Sequence, residues 1–397
     1  MCRTSTILPN WQTREVTENT GEHALSVRRI ALSLIAVALV ISGCSSGGST
    51  NDSADQSTSS SPTPTPTPTP TWPLTGIVSK AASKTAPVLV IKVENDPSVR
   101  PQSGLDRADV VFEELVEGGI TRFCTMFQSS LPKEIGPVRS VRHVDASIAS
   151  PVADFFIFSG GARPTLRYVR ADLPKGVKIL TEGAPGMYRS RKHYAPHNLF
   201  LNPQVLVAKS KHSNTPTDGI FYRDPNAGTE VESSTPTPVP SVSGSSRPVI
   251  ATYIPVTGLN ARFSNSETPR WVWNQKRGEW LRFESSRKHT NTAGVQLGVP
   301  NLVILNVKTI DAGYRDPAGN YVPRTVFTGT GKGYVLENGQ ALAVKWSKPA
   351  LGSQVTLTDV TGKVVTLSPG RTWVELIPNT GSFTLVKKPA PKPTASK

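Results

Sequence analysis

Short apolar runs closed by turn residues set the pattern of the chain from about residue 76 onward. "PVLVIKVEN" (87–95), "TRFCTMFQSS" (121–130) and "ADFFIFSG" (153–160) read as buried strands. "ADVVFEELVEGG" (108–119) fits strand or helix by periodicity, and "SVRHVDASIASPV" (140–152) is helical in character until Pro151. Strands mixed with short helices predict a mixed α/β domain over 76–228 with a central sheet. Further along, "PRWVWNQKRGEWLRF" (269–283) predicts a hairpin, and "GYVLENGQALAVKW" (333–346) predicts another around Asn338-Gly339. "QVTLTDVTGKVVTLSPGRTWVELIP" (354–378) predicts a third, turning at Thr361-Gly362. A smaller β-rich domain is therefore expected over 249–386, and the fold class of the whole is α+β. The alternating tryptophans are read as core more readily than as a glycan-binding surface.

Between and around these bodies the pattern fails. Arg28 and Arg29 precede the apolar run Ile30–Ile41, which has the length of a signal-peptide core and is too short to span a bilayer. It ends in "ISGC", a match to a bacterial lipobox, so Cys44 is the expected lipidation site and residues 1–43 the removed signal. Val27 directly before Arg-Arg is a candidate for the true start. Residues 44–75 are Ser/Gly-rich and then Thr-Pro-repetitive, a tether whose stretch Thr63–Pro70 reaches about 25 Å at roughly 3.1 Å per residue. A linker at 229–248 divides the two bodies, and a basic tail at 387–397 closes the chain. These features place the protein on the cell membrane, lipid-anchored at the extracytoplasmic face.

Charge then narrows the partners. The formal net charge is +15, and loss of the four Lys/Arg and three Asp/Glu in residues 1–43 leaves +14. Outside the cytoplasm this favours an anionic wall polymer, peptidoglycan, anionic lipid or an envelope protein, and no nucleic acid is expected. A generally basic, soluble surface is the alternative. With Cys2 in the removed segment and Cys44 on lipid, Cys124 is left alone in an apolar run and reads as an inert buried thiol.

Candidate chemistry gathers at the ends of the apolar runs. Glu113 and Glu117, four apart, could divide acid and base roles or pair with Arg122, Arg139 and Arg142. A helix opening near Pro137 would place Arg139, Arg142 and His143 on one face, suited to a carboxylate or phosphate. The turn Ser159-Gly160-Gly161 before Pro164 could offer amides to an anion. His197, followed by Asn198, could orient a substrate or act as a base. Pro196 between His193 and His197 argues against a helical metal pair, and no metal or cofactor motif is present. His289 and Asp311 are the acid/base candidates of the second body, without a spacing signal.

The stretches "VENDPSVRPQSGLDRADVVFEELVEGGITRF", "GPVRSVRHVDASIA", "FSGG" and "APHNLF", followed by "WVWNQKRGEWLRF", "NLVILNV", "GTGKGYVLENGQALAVKW" and "TWVELIP", resemble the successive signatures of the YerB-like bacterial lipoproteins. The resemblance runs from about residue 86 to 380 and implies a surface lipoprotein with an N-terminal and a C-terminal domain of unknown function. It implies no reaction. The polar positions within its motifs are Asn95, Asp96, Arg100, Gln102, Glu113, Glu117, Arg122, Arg139, Arg142 and His197. They are expected to line one cleft at the strand ends. The absence of a nucleophile elbow or zinc motif favours binding; the alternative is a cell-envelope hydrolase or transferase using Glu113, Glu117 and His197.

Overall fold

The computed structural model describes residues 69–212, 215–223 and 251–388. Cys44, the signal segment, most of the tether, the linker 229–248 and the tail beyond Lys388 lie outside the described residues. Among the described residues no helix is long and apolar enough to cross a membrane.

The N-terminal half supplies β1 (Leu89–Glu94), β2 (Val110–Leu115), β3 (Thr121–Phe127), α1 (His143–Ala149), β4 (Phe155–Ile157), α2 (Arg163–Asp172), β5 (Lys178–Leu180), β6 (Met187–Arg189), β7 (Leu199–Leu201) and α3 (Pro203–Lys209). β1 lies between β3, antiparallel, and β4, parallel, and β4 pairs onward with β5. β2 closes on β3 as an antiparallel partner. The ambiguous segment 108–119 is thus a strand, ended by Gly118 and Gly119, whose φ angles of 71° and 75° require a residue without Cβ strain.

The C-terminal half supplies β8 (Tyr253–Arg262), β9 (Pro269–Asn274), β10 (Glu279–Glu284), β11 (Arg287–Lys288), β12 (Gly298–Val299), β13 (Asn301–Arg315), β14 (Tyr321–Val326), β15 (Gly329–Glu337), β16 (Gln340–Lys348), β17 (Thr356–Thr358), β18 (Thr372–Pro378) and β19 (Ser382–Lys387). The two foreseen hairpins are β9–β10 and β15–β16. Asn338 and Gly339 both have positive φ, 51° and 73°, as a two-residue turn matching the strand twist demands.

The third foreseen hairpin forms only as a short one around Thr361-Gly362, with Thr358 and Val364 bridged antiparallel and the Val365 amide donating to Leu357 O. Asp359 accepts from the amides of Thr361 and Lys363 and closes a tight turn after β17. The chain then leaves, and β18 pairs in parallel with β13 on one side and with β2 on the other. The two halves accordingly share one mixed sheet, ordered β5-β4-β1-β3-β2-β18-β13-β15-β16. β8 pairs with β16 at its start and with β9 and β19 beyond, so it carries the chain into a second sheet, β19-β8-β9-β10.

Strand alternation decides what each face buries. Val90, Phe112, Cys124, Met126, Val303 and Val374 face a core covered by α1 and α2. Leu89, Ile91, Val111, Phe123, Leu302 and Trp373 face the opposite core, where Trp271 and Trp280 of the second sheet are fully buried. Trp271 and Trp280 are therefore core, and Trp273 packs half-buried against it. The outer part of β13 peels away with β14 as a two-stranded ribbon. There the Tyr314 hydroxyl lies 2.5 Å from Thr165 Oγ1, and the Arg324 guanidinium sits 4.7 Å from the Tyr168 ring centre.

The helix expected from Pro137 begins only at His143. Residues 136–141 are extended instead. The amide of Arg139 donates to Lys92 O, and that of Val141 donates to Gly160 O, so β-type backbone bonds occupy this segment. Arg142 is the residue that enters the helix, its amide donating 2.6 Å to Asp145 Oδ2.

Candidate functional site

Glu113 and Glu114 are adjacent on β2 and therefore project to opposite faces of the sheet. That one fact separates the polar motif residues into two networks, where one cleft was expected.

The first network lies on the Trp271 side and joins the halves. The fully buried Arg282 guanidinium donates to Glu113 Oε2 at 2.6 Å and to Glu284 Oε1 at 2.5 Å. The rings of Phe123, Trp271 and Trp373 surround it at 5.5, 5.6 and 4.9 Å, so desolvated aromatic faces share the stabilisation of its charge. His289 Nε2 contacts Gln102 Oε1 at 2.7 Å, and its other ring nitrogen lies 3.1 Å from Glu284. Asn95 Nδ2 donates to Thr121 Oγ1, and Arg100 donates to Asn95 Oδ1 and to Glu267 Oε1.

Four carboxyls meet two arginines here, and their surroundings push their pKa values apart. Burial first, then the charges of Glu284 and Glu113, push Glu267 up to about 9. Glu375, opposite Glu113 in the β18–β2 register, is held well above the carboxylate range by burial and by Glu113. Burial opposes ionisation of Glu284 too, but the attraction of Arg282 and the hydrogen bond from His289 prevail and hold it far below its ordinary value. Asn95, Gln102 and Glu113 are at most 1% exposed, which removes them from contact with any external ligand.

The second network lies on the α1 side. Cross-strand register puts Glu94, Arg122 and Glu114 in one row, with Lys92 and Cys124 in the next. Lys92 is completely buried, bonded to Glu114 and, at 2.8 Å, to Asp145. Burial, against the pull of Lys92, pushes Glu114 up to about 8. Glu94 is itself buried, with Arg139 Nε 3.0 Å from one oxygen and His197 Nδ1 2.9 Å from the other. Arg142 grips Glu117 through Nε at 2.9 Å and through Nη2.

Arg122 differs from its neighbours. Its Nη1 donates 3.2 Å to Ser140 O, an oxygen that Arg142 Nη1 also approaches at 3.1 Å. It makes no ion pair among the described residues, its Nε is buried without a partner, and only 7% of its surface is exposed. Burial, followed by repulsion from Arg142 and Arg139, pushes it down to about 9. Three guanidiniums thus converge around Glu94 and Glu117, with the partly exposed His197 ring alongside Glu94.

The remaining motif positions are local. Asp96 accepts from the amide and hydroxyl of Ser98 in an exposed turn, and Asn198 accepts from Arg189. The Ser159 amide is already committed to Arg139 O, so the glycine turn does not present it to an anion; the turn instead holds the arginine segment against β4. His289 is a buried network member, whereas Asp311 is a surface acid 3.9 Å from Arg315. His143 packs edge-on to Tyr168 at 5.0 Å, its pKa lowered first by burial. Among the described residues no group of three or more His, Cys, Asp or Glu is arranged to hold a metal ion.

Sequence reasoning passed over Lys92, Glu94, Glu114, Asp145, Arg282, Glu284, Glu267 and Glu375. The signal present for the first three was a charge inside an apolar strand, where burial without a partner is too costly to stand.

Comparison with known proteins agrees with this architecture. Residues 74–216 match the N-terminal domain, and residues 259–374 the C-terminal domain, of a protein family of unknown function, DUF3048. YerB of Bacillus subtilis (strain 168), named as a lipoprotein, is 28% identical over 326 residues, covering 79% of this chain and 88% of YerB. The crystal structure of YerB superposes with a TM-score of 0.60 at 20% identity, covering 79% of this chain and 99% of that one, and shows the same fold. The chain belongs to the YerB-like family.

Proposed function

We propose that the protein is a lipid-anchored envelope protein at the extracytoplasmic face that binds an anionic group of the cell envelope at Arg122, Arg139 and Arg142. The observation that carries this reading is Arg122, a nine-tenths-buried cation beside two others that makes no ion pair among the described residues. A folded protein tolerates such a charge at a cost, and groups so destabilised concentrate where a ligand completes them. A carboxylate or phosphate entering beside Ser140 would accept from the guanidinium fork. The "ISGC" motif and the lipoprotein naming of YerB support the anchor.

The hydrolase or transferase reading loses Glu113, which is sealed behind Arg282, and Glu117, which is held by Arg142. It keeps the His197–Glu94 pair, since a carboxylate orienting an imidazole is what a general base requires. Purified full chain is to be titrated with orthophosphate and incubated with isolated cell-wall sacculi, comparing wild type with Arg122→Met. Loss of one buried charge-assisted contact, about 1.5–3 kcal/mol, corresponds to roughly 10- to 150-fold weaker binding. Equal binding by the variant would refute the site, and sacculi recovered cleaved would establish turnover.

A further inference from the structure

The surface leading away from the arginine site carries a second set of cations. α2 starts at Arg163, three residues beyond Gly160, whose carbonyl accepts from Val141 between Arg139 and Arg142. A Cβ on Gly161 would lie 2.9 Å from Val141 Cγ1, so the start of α2 is pressed against the arginine segment. Along α2, Thr165 and Val169 are buried in the core, while Arg163, Arg167 and Arg170 are all exposed. Their spacing of four and three residues puts them on one stripe, about 6 Å and about 4.5 Å apart along the helix axis. None of the three makes an ion pair among the described residues. The helix has no acidic residue in its first turn and no side chain capping its N-terminus.

Resting on the anion-binding reading above, we infer that the ligand is a linear chain with a negative charge on each repeat, whose end enters beside Arg122 and whose following repeats lie along Arg163, Arg167 and Arg170. Arg122, 7% exposed, can be met only by a narrow group such as a chain end, whereas the exposed stripe can only accompany what protrudes. A single small anion would use the recess and leave the stripe idle. A flat anionic bilayer would meet the stripe first and reach the recess last. The helix direction fits a chain as well, because charge nearest the site meets the positive end of the α2 dipole.

The test uses the detergent-solubilised full chain with orthophosphate, tripolyphosphate and long-chain polyphosphate as probes, and the triple variant Arg163→Ala/Arg167→Ala/Arg170→Ala beside Arg122→Met. The expected result is affinity that rises with chain length in the wild type. The triple variant should keep its orthophosphate affinity but lose the chain-length gain. Its log K against log salt should slope less steeply by about 2, as three lost phosphate contacts at about 0.7 each imply. Arg122→Met should weaken all three probes. Equal chain-length gain in the triple variant, or no gain in the wild type, would overturn the chain while leaving the anion site. No binding of any probe would overturn both. Vesicles with anionic headgroups that bind wild type as tightly as long-chain polyphosphate, and fail with the triple variant, would overturn the chain in favour of a lipid surface.

Discussion

Two buried arginines in this protein should answer the same substitution in opposite ways. Arg282→Met deletes a guanidinium that is 0% exposed and holds Glu113 at 2.6 Å and Glu284 at 2.5 Å. Methionine fills part of the volume among Phe123, Trp271 and Trp373 but leaves at least one carboxylate buried without a cation. Removing one member of a buried pair costs about 3–5 kcal/mol, which for a body of this size is a Tm lower by on the order of 10 °C. Because Glu113 belongs to the N-terminal half and Arg282 to the C-terminal half, both halves should lose stability together in a single transition. Arg122→Met removes a cation that has no ion-pair partner among the described residues and is repelled by Arg142 and Arg139, so its stability should be unchanged or higher. Urea unfolding of both variants, followed by tryptophan fluorescence and by far-ultraviolet circular dichroism, measures the contrast. If Arg282→Met lost less than about 1 kcal/mol, or if Arg122→Met lost as much as Arg282→Met, the assignment of one arginine to structure and the other to ligand would be wrong.

Glu267→Gln should flatten the pH dependence of stability. Glu267 is raised to about 9 in the folded chain, so its contribution is full below the ordinary carboxylate range and declines as pH rises toward 9, by up to about 1.4 kcal/mol per unit; unchanged pH profiles would show that it folds ionised. Cys124, fully buried with its thiol pKa raised by burial, should not react with a thiol reagent such as dithionitrobenzoate until the protein is unfolded. Rapid labelling of native protein would place it elsewhere. Lys92→Met should cost about 3–5 kcal/mol by stranding Asp145, and Lys92→Met/Asp145→Asn should recover part of the loss in thermal melts; a double variant no better than the single would sever the pair.

Local chemistry was readable and distant pairing was not. The strands of the N-terminal half and the Asn338-Gly339 hairpin follow from alternation and turn residues that lie side by side in the chain. The segment from Pro137 looked helical because its arginines fall at helical intervals, yet extended bonding to Lys92 and Gly160 prevails over that spacing. The four-residue interval of Glu113 and Glu117 suggested a common face, but the strand stops between them and a glycine turn redirects Glu117 to Arg142. The partner of Glu113 lies in β10, and no interval within the motif could name it. Three of the proposed anion ligands, Arg122, Arg139 and Arg142, do come together, because β3 and the extended segment both flank the outward end of β1.

The parallel pairing of β2 with β18 also has a consequence for how the protein is made. β2 emerges early in synthesis, while its neighbour, beginning at Thr372, arrives among the last residues of the chain. Until then one edge of a largely apolar strand lies open, a template for pairing with other chains. Contacts of such sequence separation also form slowly. Cutting the gene between the halves should therefore yield two aggregation-prone fragments that recover solubility when made together.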